Sequence, residues 1–392
     1  MNLKPTGLVI VLGLAAFAPV ATAGTTTWDW NLRLRHEGVR DDAFGQDAQA
    51  DTARLRAAIH AALGGDWSLL VEAEGIASAG DRYNSGANGR SSLPAIADAA
   101  GVELNQAWIG WRGKRGAAIL GRQRIAWDNQ RWIGNSGWRQ NEQTFDAVSF
   151  EAAPSPRLSL RYAWLGRVHR VAGGDALDPL ARERDLSSHL FNAVWKQGAQ
   201  QWVAYAYLHE DRDLAAASTA TYGLRWSGTR GKVFGWTAEV ARQSDHGNNP
   251  GNFSHVYWLL EPSLQTGRVN WKLGWEHLGG DGQHALQTPL ATLHAFNGWA
   301  DKFTTTPASG LEDRYLQSSA KWGKGTWTIA GHDYRADTGG RHYGSELDAS
   351  LAWPLRRGWS GLVKLADYRS DTFARDTRKL WLQLEYTGSV PL

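Results

Sequence analysis

No cysteine occurs among the 392 residues, which excludes disulfides, thiolate metal sites and a lipid-modified N-terminal cysteine. Methionine appears once and proline only 12 times. Beyond the N-terminal segment no apolar run approaches the ~20 residues that a membrane helix needs. A strong excess of one charge is missing as well. The formal net charge of +3 gives no global field that would draw the chain onto nucleic acid. The twelve histidines show no HExxH spacing, and no GxSxG occurs. No metal, no cofactor and no enzymatic activity are therefore expected.

The first segment, "MNLKPTGLVIVLGLAAFAPVATAG", carries one lysine (Lys4), an apolar run from Gly7 to Phe17 and the small triplet Ala21-Thr22-Ala23. That pattern reads as a secretory signal peptide over residues 1–23, too short in its apolar run to span a bilayer. Residues 24–392 then form one domain, since no internal repeat or linker interrupts them. An exported destination also argues against nucleic acid as a partner. The mature composition is unusual: Trp is 22 residues and Gly 44, yet only 42% of the chain is hydrophobic. Transmembrane β-barrels combine an apolar, aromatic-ringed outer face with a polar inner face in this way.

Period-two alternation supports that class. In "WDWNLRLRHEG", Trp28, Trp30, Leu32 and Leu34 share one face of an extended strand, and Asp29, Asn31, Arg33 and Arg35 share the other. Ala53, Leu55, Ala57 and Ile59 then oppose Arg54, Arg56 and His60, before a "GGD" turn. Short turns such as "GKRG", "SGTRGK" and "PLRRG" alternate with long polar loops, the longest being 78–101, 124–143 and 279–311. About eighteen strand segments follow, starting near residues 28, 53, 67, 102, 116, 144, 157, 188, 201, 219, 232, 254, 268, 312, 325, 342, 358 and 378. The expected fold is all-β: a transmembrane antiparallel β-barrel of about eighteen strands, with short periplasmic turns and long extracellular loops. Trp202, Trp226, Trp236, Trp322, Trp353 and Trp359 near strand ends suit aromatic girdles. Outer-membrane lipid, lipopolysaccharide and the barrel assembly machinery are the partners such a barrel implies, and a monomer is expected.

Three long stretches carry a resemblance. "GRQRIAWDNQRWIGNSGWRQNEQTFDAVSF" (121–150), "LQTPLATLHAFNGWADKFTTTPASGLEDRYL" (286–316) and "GHDYRADTGGRHYGSELDASLAW" (331–353) are similar, in this order, to blocks of the alginate-export family of outer-membrane porins. The positions matching the family motifs are Arg122, Gln123, Arg131, Gly137, Trp138, Arg139, Gln140, Asn141 and Asp146 in the first block. Asn297, Trp299 and Lys302 match in the second, Tyr343 and Glu346 in the third. The resemblance implies an eighteen-stranded barrel in the bacterial outer membrane with an arginine-rich lumen, passing anionic or polar solutes by diffusion. A polyuronate such as alginate, or its oligosaccharides, is among those solutes. One departure is the C-terminus: the last aromatic, Tyr386, precedes Leu392 by six residues, where such barrels commonly finish on an aromatic.

The pore-lining set expected from alternation and resemblance begins with Arg33, Arg35, Arg54 and Arg56. It continues with Arg122, Arg124, Arg131, Arg139, Asp146, Arg161, Arg225 and Glu346. Guanidinium groups stay charged and bind carboxylates through paired donors, and rings of them select anions. The bland reading is equally open: arginines paired with carboxylates such as Glu72, Glu74, Glu239, Asp333 and Asp348 would fill any lumen. Asn297, Trp299 and Lys302 are expected to form a loop constriction, because Phe296, Trp299 and Phe303 would otherwise face water. Trp127, Trp132 and Trp138 fit a packing wedge better than a sugar platform. A loop-plugged receptor or structural barrel is the alternative function. An embedded hydrolase is a remote one, resting only on the same-face carboxylate pairs Glu72/Glu74 and Glu346/Asp348.

Overall fold

The structure, a computed structural model, describes residues 26–392, so the signal-peptide reading of residues 1–23 lies outside the described residues. Eighteen antiparallel strands form a meander, each pairing with its sequence neighbours. It closes where β1 (Thr27–Asp41) pairs with β18 (Thr377–Pro391) over fifteen positions. Closure leaves no edge, which a bilayer requires because hydrocarbon cannot satisfy an unpaired N–H or C=O. The meander puts eight short turns at one end and nine longer connections at the other, the periplasmic and extracellular ends respectively.

Side chains sort by parity. Leu34, Leu55, Ile59, Leu120, Phe191, Leu260 and Leu365 are exposed on the outer face, where they meet lipid. Arg33, Arg35, Arg54 and Arg56 are buried on the inner one. At the periplasmic end the girdle is formed by stacked or edge-on indoles, with Trp202 and Trp226 at 5.1 Å and Trp226 and Trp236 at 5.2 Å. Tyr386 of β18 joins it, 4.9 Å from Trp359.

Most strand starts fall within two residues of the sequence expectation. β2 (Ala48–Gly64) and β8 (Glu183–Gln197) instead begin five residues earlier, inside segments read as loop. Above the bilayer the outer face meets water, so the apolar signal moves inward. Ala48 and Ala50 are buried while Gln49 and Asp51 are exposed, and Leu186 is buried between the outward Asp185 and Ser187.

Two larger corrections concern Arg122 and Asp146. In β5 (Gly116–Gln123) Arg122 shares a face with the lipid-exposed Leu120, and it pairs across the sheet with Asp146 of β6 (Thr144–Ser155). Both point out of the barrel, joined at 2.9 Å, and His169 bonds Asp146 from the next strand at 3.0 Å. Neither lines the pore. The pair belongs to an outward network of charges in which His169 and Arg167 also reach Glu183, and Arg167 reaches Asp185. Asp333, held by Arg335 at 2.9 Å, also faces outward.

Glycines on the inner face sit beneath aromatic rings. A Cβ at Gly274 would overlap the ring of Tyr315 on the neighbouring strand. Such covering rings shield the glycine's backbone and pin register. We expect the folded protein to run faster on gels unheated than boiled, because a closed barrel has no edge from which to unravel. Gly274→Val should reduce the heat-modifiable fraction, since overpacking costs roughly 1–3 kcal/mol. Wild-type protein that purified without detergent as a soluble monomer would overturn the barrel.

Candidate functional site: a two-loop plug inside the barrel

The lumen is not empty. The loop of residues 124–143, between β5 and β6, turns inward, and so does the loop of residues 279–310 between β13 (Val269–Leu278) and β14 (Leu311–Trp322). Their apolar side chains form a core within the barrel: Ile125, Trp132 and Ile133 from the first loop, Leu286, Leu290 and Phe303 from the second. Five of the seven non-glycine residues with left-handed backbone lie in these loops: Asp128, Gln130, Ser136, Asn297 and Asp301. Tight reversals of this kind cost energy and persist only where surroundings fix them.

The loops fix each other first. Gly134 N donates to Leu290 O at 2.8 Å and Thr292 N to Gln130 O at 3.0 Å. Gln143 Nε2 donates to both Gly134 O and Leu290 O, and Ser136 N to Thr292 Oγ1. Gly134 must be glycine, because a Cβ there would overlap Thr292. Trp138 stacks on His294 of the other loop, with centroids 4.6 Å apart and planes within 8°.

The wall then holds the loops by their backbone, and two parts of it do so with opposite charge. On the β1–β2 side Arg33 donates to the carbonyls of Gly137, Trp138 and Arg139, Arg35 to that of Trp138, and Arg54 and Arg56 to that of Gln140. Further round the wall, three to six strands from β1, carboxylates accept from the second loop. Asp348 takes the Trp299 N–H at 3.2 Å, Glu346 the Ala300 N–H at 2.6 Å, and Glu276 and Asp313 the side-chain amide of Asn297 at 2.7 and 3.1 Å. Charge-assisted bonds are about twice as strong as neutral ones. Every one of these donors or acceptors would otherwise be a buried loop group without water.

Side-chain ion pairs complete the docking. Arg131 meets Glu276 at 2.9 Å and donates to Asn297, its guanidinium 4.7 Å from the Phe296 ring. Arg139 joins Glu37 at 3.0 Å and Asp301 at 3.2 Å. Lys302 bonds Asp41, and Trp132 donates to Glu239. Lys364, buried in β17 (Trp359–Ser370), lies 4.1 Å from the Trp138 ring centroid and 3.8 Å from that of Trp299. Its ammonium donates to His294 Nε2, while His294 Nδ1 donates to Asp301 at 2.7 Å. Burial, reinforced by Lys364 and opposed by Asp301, lowers the His294 pKa to about 3, so the ring is neutral as that relay requires.

The expected site residues therefore divide. Arg33, Arg35, Arg54, Arg56, Arg131 and Arg139 are brought together as plug anchors, and Glu346, Asn297 and Trp299 meet where carboxylates hold the second loop. Arg124, Arg161 and Arg225 face the lumen with side chains 33%, 27% and 16% exposed, and none of them touches a loop carbonyl among the described residues. Glu72 is bound by Asn105 and Gln106, both turned inward by a bulge in β4 (Gly101–Arg112), and Glu74 by Arg56. Of the carboxylate pairs considered for hydrolysis, Glu346 and Asp348 bind the plug backbone, while Glu72 and Glu74 are engaged by Arg124 and Arg56. Sequence reasoning missed Asp98, Glu276, Asp301, Asp313 and Lys364. Lys364 could have been found as the one charge inside "LVKLA", on the face opposite Val363 and Leu365. Asp98, which accepts from Gln140 N and Arg35, sits in a loop without period and gave no signal.

The sequence matches the family model described as alginate export over residues 26–280, more than half of the chain. No curated protein matches it. Among solved structures, OccAB2 of Acinetobacter baumannii superposes with a TM-score of 0.74 at 12% identity, covering 93% of this chain and 98% of that one. For Pseudomonas aeruginosa, the outer-membrane protein OpdK gives 0.71 at 14%, with 93% and 99% covered. OpdO from the same organism gives 0.73 at 14%, with 93% and 97% covered. At these identities the likeness is one of fold.

Removing residues 290–308 should raise single-channel conductance, because the deleted segment carries the second loop's wall contacts described above and its partners in every loop–loop contact named here. Unchanged conductance with barrel yield intact would mean the loop lies off the solute path. Acid should loosen the plug too. His294 ordinarily titrates near ~6.5 when released, so its docked state, holding a pKa of about 3, loses stability as pH falls between these values. Asp301, held well below its usual range by His294, Lys379 and Arg139 against burial, extends the loss further down. Recordings from pH 7 to 4 should show more frequent large openings in wild type and a flatter response in His294→Asn.

Proposed function

This chain belongs to the alginate export family, and on that premise we propose that it passes anionic or polar solutes, a polyuronate such as alginate or its oligosaccharides among them, by passive diffusion. The coarser statement is direct: it is a porin-like channel of the bacterial outer membrane. The observation that carries the finer one is the division of the arginines. Six are consumed in holding the plug and Arg124 is paired with Glu72 and Glu142, whereas Arg161 and Arg225 keep only longer contacts, 3.6 Å to Asp128 and 3.8 Å to Glu239, and partial access to lumenal water. Several weak guanidinium sites replace the hydration of a carboxylate without trapping it, which conduction needs. OpdK, whose fold is shared, has been solved with vanillate, a small carboxylate, and this supports anions of modest size as well.

The plug favours a second reading, a barrel kept shut until its loops are released. Such a barrel needs a trigger, and its resting conductance would be near zero, which separates it from a porin in one recording.

We expect anion preference in the reversal potential under a salt gradient, strongest in dilute salt, as the Debye length shrinks from about 10 Å at 0.1 M to about 3 Å at 1 M. Changing Arg124, Arg161 and Arg225 together to Gln should abolish that preference while conductance stays similar. Changing Arg54 and Arg56 to Gln should instead raise conductance by freeing the Gln140 carbonyl. Identical reversal potentials in wild type and the triple variant would mean the exposed arginines are only paired filling.

A further inference from the structure

The two ends of the barrel differ in charge. The eight short turns, residues 65–66, 113–115, 156–157, 198–199, 231–233, 267–268, 323–324 and 355–358, hold eight Lys or Arg and one acid, Asp66. Lys114, Arg115, Arg157, Lys232, Arg356 and Arg357 are among these cations, and all eight are exposed. The nine connections at the other end hold sixteen Asp or Glu against eleven Lys or Arg. An anion approaching from the periplasm meets a positive rim, and one approaching from outside meets a net negative surface.

Just inside the positive rim is a cavity of about 490 Å³, within the ~300–1,000 Å³ typical of small-ligand sites. Its floor is the strand ends beside the turns at 113–115, 156–157 and 198–199, and its roof is the plug segment 124–128. Four cations line it: Arg112, Arg124, Arg161 and Lys196. Arg112 and Lys196 have no ion-pair partner among the described residues, and Arg161 reaches Asp128 only at 3.6 Å. The two lining carboxylates are partly occupied, Asp128 by Asn192 at 2.7 Å and Glu151 by Ser159 at 3.2 Å. Trp127 supplies an aromatic wall; of the three tryptophans in its loop it is the one that lines this cavity.

We infer that this cavity is the first seat for a carboxylate-bearing sugar chain captured from the periplasm, with the basic turns as its electrostatic funnel and traffic running outward. Arg112 and Lys196 take the leading carboxylate, and Trp127 takes a ring face. The inference rests on the anion-channel reading and on the outward traffic that the family's description names, and adds to them a site. A charged mouth raises on-rate by steering, and it does so less as salt rises.

The test uses oriented single channels in planar bilayers, with oligomannuronate added to one side and malto-oligosaccharide of equal length as the uncharged control. At 0.1 M salt, periplasmic addition should block on the order of 10-fold more often than extracellular addition, and the ratio should fall toward unity at 1 M. Arg112→Gln with Lys196→Gln should shorten each block several-fold while small-ion selectivity persists. Equal blocking from both sides overturns the direction. Unchanged block times in the double variant overturn the site, as does equal blocking by the uncharged sugar. A wild-type channel without anion preference removes the underlying reading instead, a result seen before any sugar is added.

Discussion

Everything inside this barrel depends on one requirement: two loops carried into the lumen bring backbone N–H and C=O groups that water no longer serves. A buried polar group without a partner costs about 1–3 kcal/mol, and a loop has no ladder of its own to supply one. The wall supplies it, with arginines for carbonyls in one part and carboxylates for amides in another. That segregation explains why so many charges can be buried in one lumen. Almost every one is paired with a counter-charge, a backbone dipole or both, the condition under which buried charge is tolerated, and Lys364 lies instead against His294 and two indole faces.

The same requirement decides which residues remain for solute. An arginine whose donors are spent on Gly137, Trp138 or Gln140 carbonyls has little left for a passing anion. Charge inventory alone would credit the lumen with a dozen cationic sites. Geometry leaves a few, all towards the periplasmic half, below the plug.

The barrel was legible because period two is a local property. Trp28 to Arg35 and Ala53 to His60 each reveal an inside and an outside within eight residues. The reading failed where that period changes meaning. Beyond the lipid, Ala48 and Ala50 face in and Asp51 faces out, so a strand resembled a loop. Arg122, two residues after Leu120, was placed by its chemistry and not by its parity. The plug was only half legible. The aromatics of "FNGWADKF" signalled that the segment must find cover, but the partners it finds, Glu276, Asp313, Glu346 and Asp348, lie on strands remote in sequence. No local pattern links Arg33 to a carbonyl over a hundred residues away.

The arginines of β1 and β2 grip the first loop by its main-chain carbonyls, and this has an evolutionary consequence. A backbone carbonyl is the same acceptor whatever residue carries it. A position such as Asn129, partly exposed and bonded only within its own loop, can therefore drift without undocking the plug. The scaffold constrains a handful of glycines and anchor residues and leaves the rest of the plug surface free to be retuned. One barrel with one docking scheme could thus be adapted to successive solutes by substitutions in its loops, while the strands that hold them stay unchanged.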